Sequence, residues 1–486
     1  MLYRALKLCP EVTSRIFHYL ETPDLRSCAL VNRQWREIGI PLIWEEIDQE
    51  VNIGDVVDYL ESNDEKAERG KFVQRCSFIF NRQSCALDTH TYLQFLRFTP
   101  NLREVYMYLE IDQKEMMAKA ANVTLSLDVL SAISWAISKS CVSSVDMNIQ
   151  VCLDSSTSQN LLPRSTLDRL AQALKLLSPM IIRLRTGIMH SRLQDIIRAM
   201  PNLCELYYST GITEKDASFF IPPETRSFSI AYSNQQMCNT FELSSESGHQ
   251  VEELSIGGIL LKETFLDKMG MFSRLTELSI TNAHIEFPAT RYAVPSLSSL
   301  KIFNLTDCRL YTLFAVQILR STLVLQRFTC NRVDDLRNFN DDLLKLLSSK
   351  AELVELELPR PKDINERPLY TPCGIAMLSR CKHLKLLTIG ILSVTFRLIL
   401  DLGLACPELN TIVMLPSHIK AYNYKEFNGQ GALDILLKGV DPQRRLLRPA
   451  LLFTSEHSCI DVEYIKETWK EMMDLMNGGE FSGSVC

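Results

Sequence analysis

Leu275-Thr276-Glu277-Leu278-Ser279-Ile280 sets three apolar side chains at spacings of three and two. The second and third alternate with polar residues, as in a short half-buried strand. The same pattern stands at Val251/Leu254/Ile256 and Leu203/Leu206/Tyr208, and upstream at Val73/Cys76/Phe78, Leu102/Val105/Met107 and Val142/Val145/Met147. Further instances are Thr225/Phe228/Ile230, Leu297/Leu300/Ile302, Leu325/Phe328/Cys330, Leu353/Leu356/Leu358, Leu384/Leu387/Ile389 and Leu409/Ile412/Met414. Eight steps separate 203 from 409, a mean period of about 26 residues, which suits a repeat of one strand and one helix.

The intervening stretches support that unit. Residues 165–177, 192–200, 340–347 and 373–381 carry apolar side chains at helical spacing. Phrases such as Thr99-Pro100-Asn101-Leu102, Met200-Pro201-Asn202-Leu203 and Cys406-Pro407-Glu408-Leu409 end a helix and turn into the next strand. Strands stack at about 4.8 Å and helices need about twice that, so the expected α/β fold is a solenoid, a curved parallel sheet with outer helices. The period is that of a leucine-rich repeat. Twelve such strands span on the order of 55 Å of concave sheet. From 107 to 203 the spacing widens, so insertions or longer helices are expected there.

The first fifty residues read differently. Pro10 suits a first helical turn, with Val12, Ile16, Phe17 and Leu20 following on one face. Thr22-Pro23-Asp24 starts a second short helix carrying Leu25, Cys28 and Ala29. A third holds Val31, Trp35 and Ile38 and is expected to stop at Pro41. Three short helices bury too little surface to be comfortable alone, so a surplus apolar face needs a cover.

In order and identity, Pro10, Glu11, Ile16, Phe17, Leu20, Pro23, Asp24, Leu25, Ala29, Leu30, Val31, Arg33, Trp35, Arg36, Ile38, Pro41, Leu42 and Trp44 resemble the F-box, in the form common in fungal proteins. Cys9 departs from the usual Leu, and Asn32 from a common Cys. The resemblance implies docking on a Skp-type adaptor, and through it on a cullin–RING ubiquitin ligase. The implied adaptor-binding residues are Pro10, Val12, Ile16, Leu20, Leu25, Val31 and Trp35, acting as apolar anchors in a groove. The whole chain resembles F-box proteins of the leucine-rich-repeat class, whose repeats capture a target protein for ubiquitination. A non-degradative scaffold using the same contact for assembly is the alternative. The expected layout is an F-box at 7–48, a linker and first helix at 49–72, repeats at 73–450 and a capping helix and tail at 451–486. That last helix, 461–476, carries Ile465, Trp469, Met472, Met473 and Met476. Where Asn or Cys often follows the strand, Ala283 and Val333 stand in two units.

Residues alternating with the buried strand positions are candidate target-binding groups: Glu104, Tyr106, Tyr108, Glu205, Tyr207, Glu253, Glu277, Glu355 and Glu357, interrupted by Lys301 and Arg327. An acidic column with tyrosines could hold a basic target segment, and charge on exposed strand positions also serves solubility alone. Composition narrows the rest. Lys plus Arg number 52 against 58 Asp plus Glu, a net charge of −6, which argues against nucleic acid as a partner. The apolar stretch 396–404 is broken by Arg397 and Asp401, so no membrane partner is expected. Fifteen cysteines without a Cys-x-x-Cys read as buried thiols in a reducing compartment, cytosol or nucleus, with no metal and no cofactor. No phosphate loop, dinucleotide fingerprint, metalloprotease helix or nucleophile elbow occurs, and Ser455, His457 and Asp461 are close only in sequence. A non-catalytic subunit is expected.

Overall fold

The computed structural model describes residues 9–48, 51–80, 89–112, 121–152, 162–213, 221–232, 250–258, 260–261, 269–285, 296–310, 313–331, 340–358, 370–390, 396–415, 452–453 and 458–461. By its contacts the chain divides into two units, residues 1–233 and 234–486.

The first unit opens with helices α1 (Pro10–Phe17), α2 (Thr22–Ala29) and α3 (Arg33–Trp44). A parallel ladder follows: β1 (Glu46–Ile47), β2 (Arg75–Phe80), β3 (Glu104–Asp112), β4 (Ser144–Cys152), β5 (Ile181–Met189), β6 (Glu205–Thr213) and β7 (Ser227–Tyr232). Helices α4 (Ile53–Glu61), α5 (Asp64–Ala67), α6 (Thr89–Phe98), α7 (Ala121–Ile137), α8 (Arg164–Leu177) and α9 (Ser191–Arg198) lie between these strands. Apart from α5, each packs on the next. Alternate strand residues, such as Val105, Met107 and Leu109, are buried beneath the helices, and the residues between them form a second, more open face.

In the second unit β8 (Glu253–Gly257), β10 (Glu277–Thr281), β12 (Ile302–Thr306), β14 (Arg327–Asn331), β15 (Glu355–Glu357), β16 (Leu386–Gly390) and β17 (Thr411–Leu415) pair in parallel. Short β9 (Leu260–Leu261), β11 (His284–Ile285) and β13 (Arg309–Leu310) make a small parallel sheet beyond the first three. Helices α10 (Leu313–Ser321), α11 (Asp341–Leu347), α12 (Pro372–Ala376) and α13 (Phe396–Ala405) pack in series. The result is a leucine-rich-repeat solenoid preceded by a small helical module.

One turn recurs along both units. The N–H groups of Val73, Leu102, Leu275, Leu300, Leu353, Leu384 and Leu409 donate to the carbonyls three residues earlier at 3.0–3.3 Å. The Pro-Asn phrases have a use here: Asn101 Nδ2 donates to the Lys71 carbonyl at 2.7 Å and Asn202 Nδ2 to that of Pro179 at 2.6 Å. Each side chain ties its turn to the preceding repeat.

Several expectations need correction. The strand placed at Leu297/Leu300/Ile302 is Leu300/Phe303/Leu305, because Leu278 pairs with Phe303 and Ile280 with Leu305. Leu297 is the buried turn residue, and Leu-Ser-Ser-Leu-Lys-Ile mimics the true motif three residues early. With the register moved, Cys308 aligns with Ala283 after the strand. Its thiol donates to the Ile280 carbonyl of the previous repeat at 3.3 Å. Val333 is outside the described residues. The positive φ of Gly258, Asn282 and Asp307 sets the corner between the main and the small sheet in three successive repeats.

The wide spacing before 203 conceals β5, a whole further repeat. Its apolar triad is Ile181/Leu184/Thr186, and the buried Thr186 hides it from an apolar pattern. Thr186 Oγ1 accepts from the Ile188 N–H at 3.1 Å where the register with β6 shifts. The ladder also starts earlier than residue 73. β1 lies within the span assigned to the helical module, and α4, in the stretch expected to hold a linker and first helix, buries Ile53, Val56, Val57 and Leu60. Pro41 does not end the third helix. It removes one bond, to the carbonyl of exposed Glu37, and α3 runs on to Trp44. Asp461, expected to start a helix, instead ends β19 (Ser458–Asp461), which pairs antiparallel with both β17 and β18 (Leu452–Phe453). The rest of that capping segment is outside the described residues.

Candidate partner interface

The helical module is built around Phe17 and Leu25. Both are buried, and the Phe17 ring meets Trp35 edge-on at 5.4 Å. Gly39 lets α3 approach: a Cβ there would meet Ala29 Cβ at 3.5 Å and the Phe17 ring at 3.6 Å. Pro10 and Pro23 open α1 and α2, and Asn32 caps α3 by accepting from the Trp35 N–H at 2.8 Å. The Asn32 departure thus has a structural use. Cys9 precedes α1, and its thiol meets the Glu11 carboxylate, a contact that holds Glu11 below the usual carboxylate range. At its far end α3 stacks Trp44 on Tyr59 of α4 at 5.3 Å, fastening the module to the first repeat.

With Phe17 turned inward, another part of the apolar set is left outside. Val12 is 44% exposed, Ile16 45%, Tyr19 90%, Leu30 81% and Val31 59%. Val12 and Ile16 share one side of α1 at a step of four, and Tyr19 follows in the turn after the helix, its N–H donating to the Ile16 carbonyl at 3.0 Å. Of the residues predicted to face an adaptor, Pro10, Val12, Ile16 and Val31 are exposed, while Leu20 and Trp35 are half-buried. Leu25 is not a surface anchor: it is 6% exposed and holds α2 against α3. Tyr19 and Leu30, more exposed than Val12, Ile16 or Val31, were not among the predicted residues. Tyr19 follows Ile16 by three in the sequence, but Phe17 and Leu20 fit the same helical pattern and drew the face a quarter-turn round.

The open strand face of the first unit is mixed in charge. Ser77, Tyr106, Asp146, Arg183, Glu205 and Ser227 form one register row, and Ile79, Tyr108, Asn148, Arg185, Tyr207 and Ser229 the next. The unforeseen β5 therefore sets two arginines inside the expected acidic column. Arg183 pairs with Asp146 at 3.0 Å, Tyr108 donates to Gln150 at 2.9 Å and Asn148 to the Tyr106 hydroxyl at 3.3 Å. Burial raises the Asp146 carboxyl above its ordinary range, against the pull of Arg183 and Arg185. Beside them lies a hollow of about 370 Å³ between β5, β6 and β7. Glu104 is exposed at the lower end of β3.

In the second unit Glu253 and Glu277 are neighbours in register, followed by Ile302, Arg327 and Glu355. Burial, then the Glu253 charge, push the Glu277 carboxyl up, with Arg327 opposing. Arg327 pairs with Glu355 at 2.5 Å, and Glu357 lies one row above. Lys301 precedes β12 at the foot of the ladder, so it does not interrupt the column. Among the described residues no group of three His, Cys, Asp or Glu could hold a metal, and no helix is long and apolar enough to cross a membrane.

A family model for F-box-like domains matches residues 7–50, spanning the exposed face and its supporting core. The chain carries an F-box-like domain over those residues. No curated protein matches the sequence. Among solved structures, the complex of Rad7 and Elc1 in yeast is similar at 12% identity, TM-score 0.35, over 83% of this chain and 87% of that one. An internalin (inlF) from Listeria monocytogenes is similar at 12% identity, TM-score 0.36, over 68% and 93%. The leucine-rich repeat-containing protein LegL7 from Legionella pneumophila reaches 13% identity, TM-score 0.26, over 82% and 98%. The repeat architecture here rests on the strand register and burial, and the F-box on the matched residues.

Proposed function

We propose that this protein is the substrate-recognition subunit of a Skp–cullin–F-box ubiquitin ligase. The observation that carries the proposal is the apolar face of Val12, Ile16, Tyr19, Leu30 and Val31, left uncovered on a module that matches the F-box model. An apolar helix face of this kind is suited to a groove on an adaptor. The parallel ladders then offer open strand faces to a target, and the chain contributes by proximity, raising the effective concentration of a target lysine near the ubiquitin thioester. Buried free thiols such as Cys76, Cys308, Cys381 and Cys406 support a reducing compartment, cytosol or nucleus.

The test compares proteins bound to the full chain with and without proteasome inhibition, and with Val12 and Ile16 intact or replaced by Asp. A receptor yields a partner that accumulates under inhibition and carries ubiquitin only when the apolar face is intact. Partners unchanged in amount and modification across all four conditions would reject the receptor reading in favour of a scaffold.

A further inference from the structure

The hollow in the first unit is lined by Arg183, Arg185, Glu205, Tyr207, Ser227 and Ser229. The two arginines are not equivalent. Arg183 is committed to Asp146 at 3.0 Å, whereas Arg185 acts on Asp146 only through space and has no hydrogen-bond or ion-pair partner among the described residues. Arg185 stands in register with Tyr207 of β6, which stands in register with Ser229 of β7. One guanidinium and two hydroxyls thus occupy a single row across three neighbouring strands, about 10 Å from end to end at strand spacing. All can donate, and an anion is the ligand that donors lining one hollow recognise.

The surrounding charge sets which anion. Glu205 lines the same hollow, and Asp146 sits one row below with its Oδ1 buried and without a hydrogen-bond partner. With Arg183 held by Asp146, the site has a single uncommitted cation facing nearby carboxylates. The two arginines and two carboxylates sum to zero, so a singly charged group adds the smallest excess of negative charge. A dianion such as a phosphate monoester would meet Glu205 and Asp146 with too little positive charge to offset them.

We infer that this hollow is the subsite that holds a carboxylate side chain, Asp or Glu, of the bound target segment, with Arg185 as its charge partner and Tyr207 and Ser229 as hydroxyl donors. The inference deepens the receptor proposal and rests on it. It also differs from the basic target segment that an acidic column on this part of the molecule would suit.

Random peptides displayed on phage, panned against the full chain and against Arg185→Glu, test it. The wild type should enrich peptides sharing an Asp or Glu at one position, and Arg185→Glu should replace that acid with Lys or Arg. In a purified enriched peptide, Glu→Gln at the shared position should weaken binding about tenfold, an arm that leaves the protein untouched. Phosphoserine at that position should bind more weakly than Glu. Enrichment without a shared acid, a preference unchanged in Arg185→Glu, no enrichment at all, or tighter binding of the phosphopeptide would each overturn the inference. Binding of a Skp-type adaptor to the same preparations is scored separately, so loss of the subsite and loss of the receptor role give different results.

Discussion

At the scale of single residues, the F-box separates two kinds of apolar side chain that a helical pattern alone treats as one. Phe17 and Leu25 face inward and Ile16 faces out, although 16 and 17 are neighbours. Replacing Leu25 by Ala should cost ~2–5 kcal/mol of local stability through an uncollapsed cavity. Ile16→Asp should leave the thermal midpoint unchanged and remove adaptor binding, as thermal denaturation and a pull-down would report together. A second residue-scale expectation concerns pH. Glu277 is raised above the ordinary 4.5 by burial and by Glu253, so the folded chain holds that proton more tightly than the unfolded one. Stability contributed there is present at low pH and lost as pH rises through and above 4.5. Glu277→Gln should flatten that part of a denaturation-versus-pH profile, and an unchanged profile would refute the assignment.

The repeat element is where sequence and structure can be compared most closely. From 251 onward every strand motif read from apolar spacing, save that at 297, stands at its register, because burial on one face forces alternation. The failures have local causes. At 297 an apolar turn residue copied the motif three positions early, and at 181 a threonine replaced the third apolar residue while its hydroxyl served the backbone. The second failure had consequences for the candidate site: without β5, Arg183 and Arg185 had no place on the strand face. Nor could spacing show that Leu25 was interior, since α2 is two turns long and its inward side is set by α3. Two predictions belong to this scale. Asn202→Ala removes a bond between repeats and should cost ~1 kcal/mol in a urea titration. Gly70 is the turn residue ahead of β2, and a Cβ there would overlap the Phe98 carbonyl, so Gly70→Ala should destabilise by more than ~2 kcal/mol.

Across the whole molecule, repeats couple chiefly to their neighbours, so damage in one place should stay local. Gly374→Ala forces a Cβ against the Asp341 carboxylate, whose oxygens accept from the Thr371 N–H at 2.9 Å and hydroxyl at 2.6 Å. Hydrogen exchange should quicken around 340–390, while the F-box helices keep their protection and their partner. Faster exchange in α1–α3 would show that the two units share one cooperative transition. The division of labour proposed for the chain depends on that independence, since one end must hold an adaptor whatever the repeats are holding. The most direct check is a calorimetric titration of the full chain with a purified Skp-type adaptor, beside the Val12→Asp/Ile16→Asp variant. Saturable one-to-one binding by the wild type, lost in a variant that melts at the same temperature, is the expected result. A wild type that does not bind, or a variant that binds as tightly, would contradict the assignment.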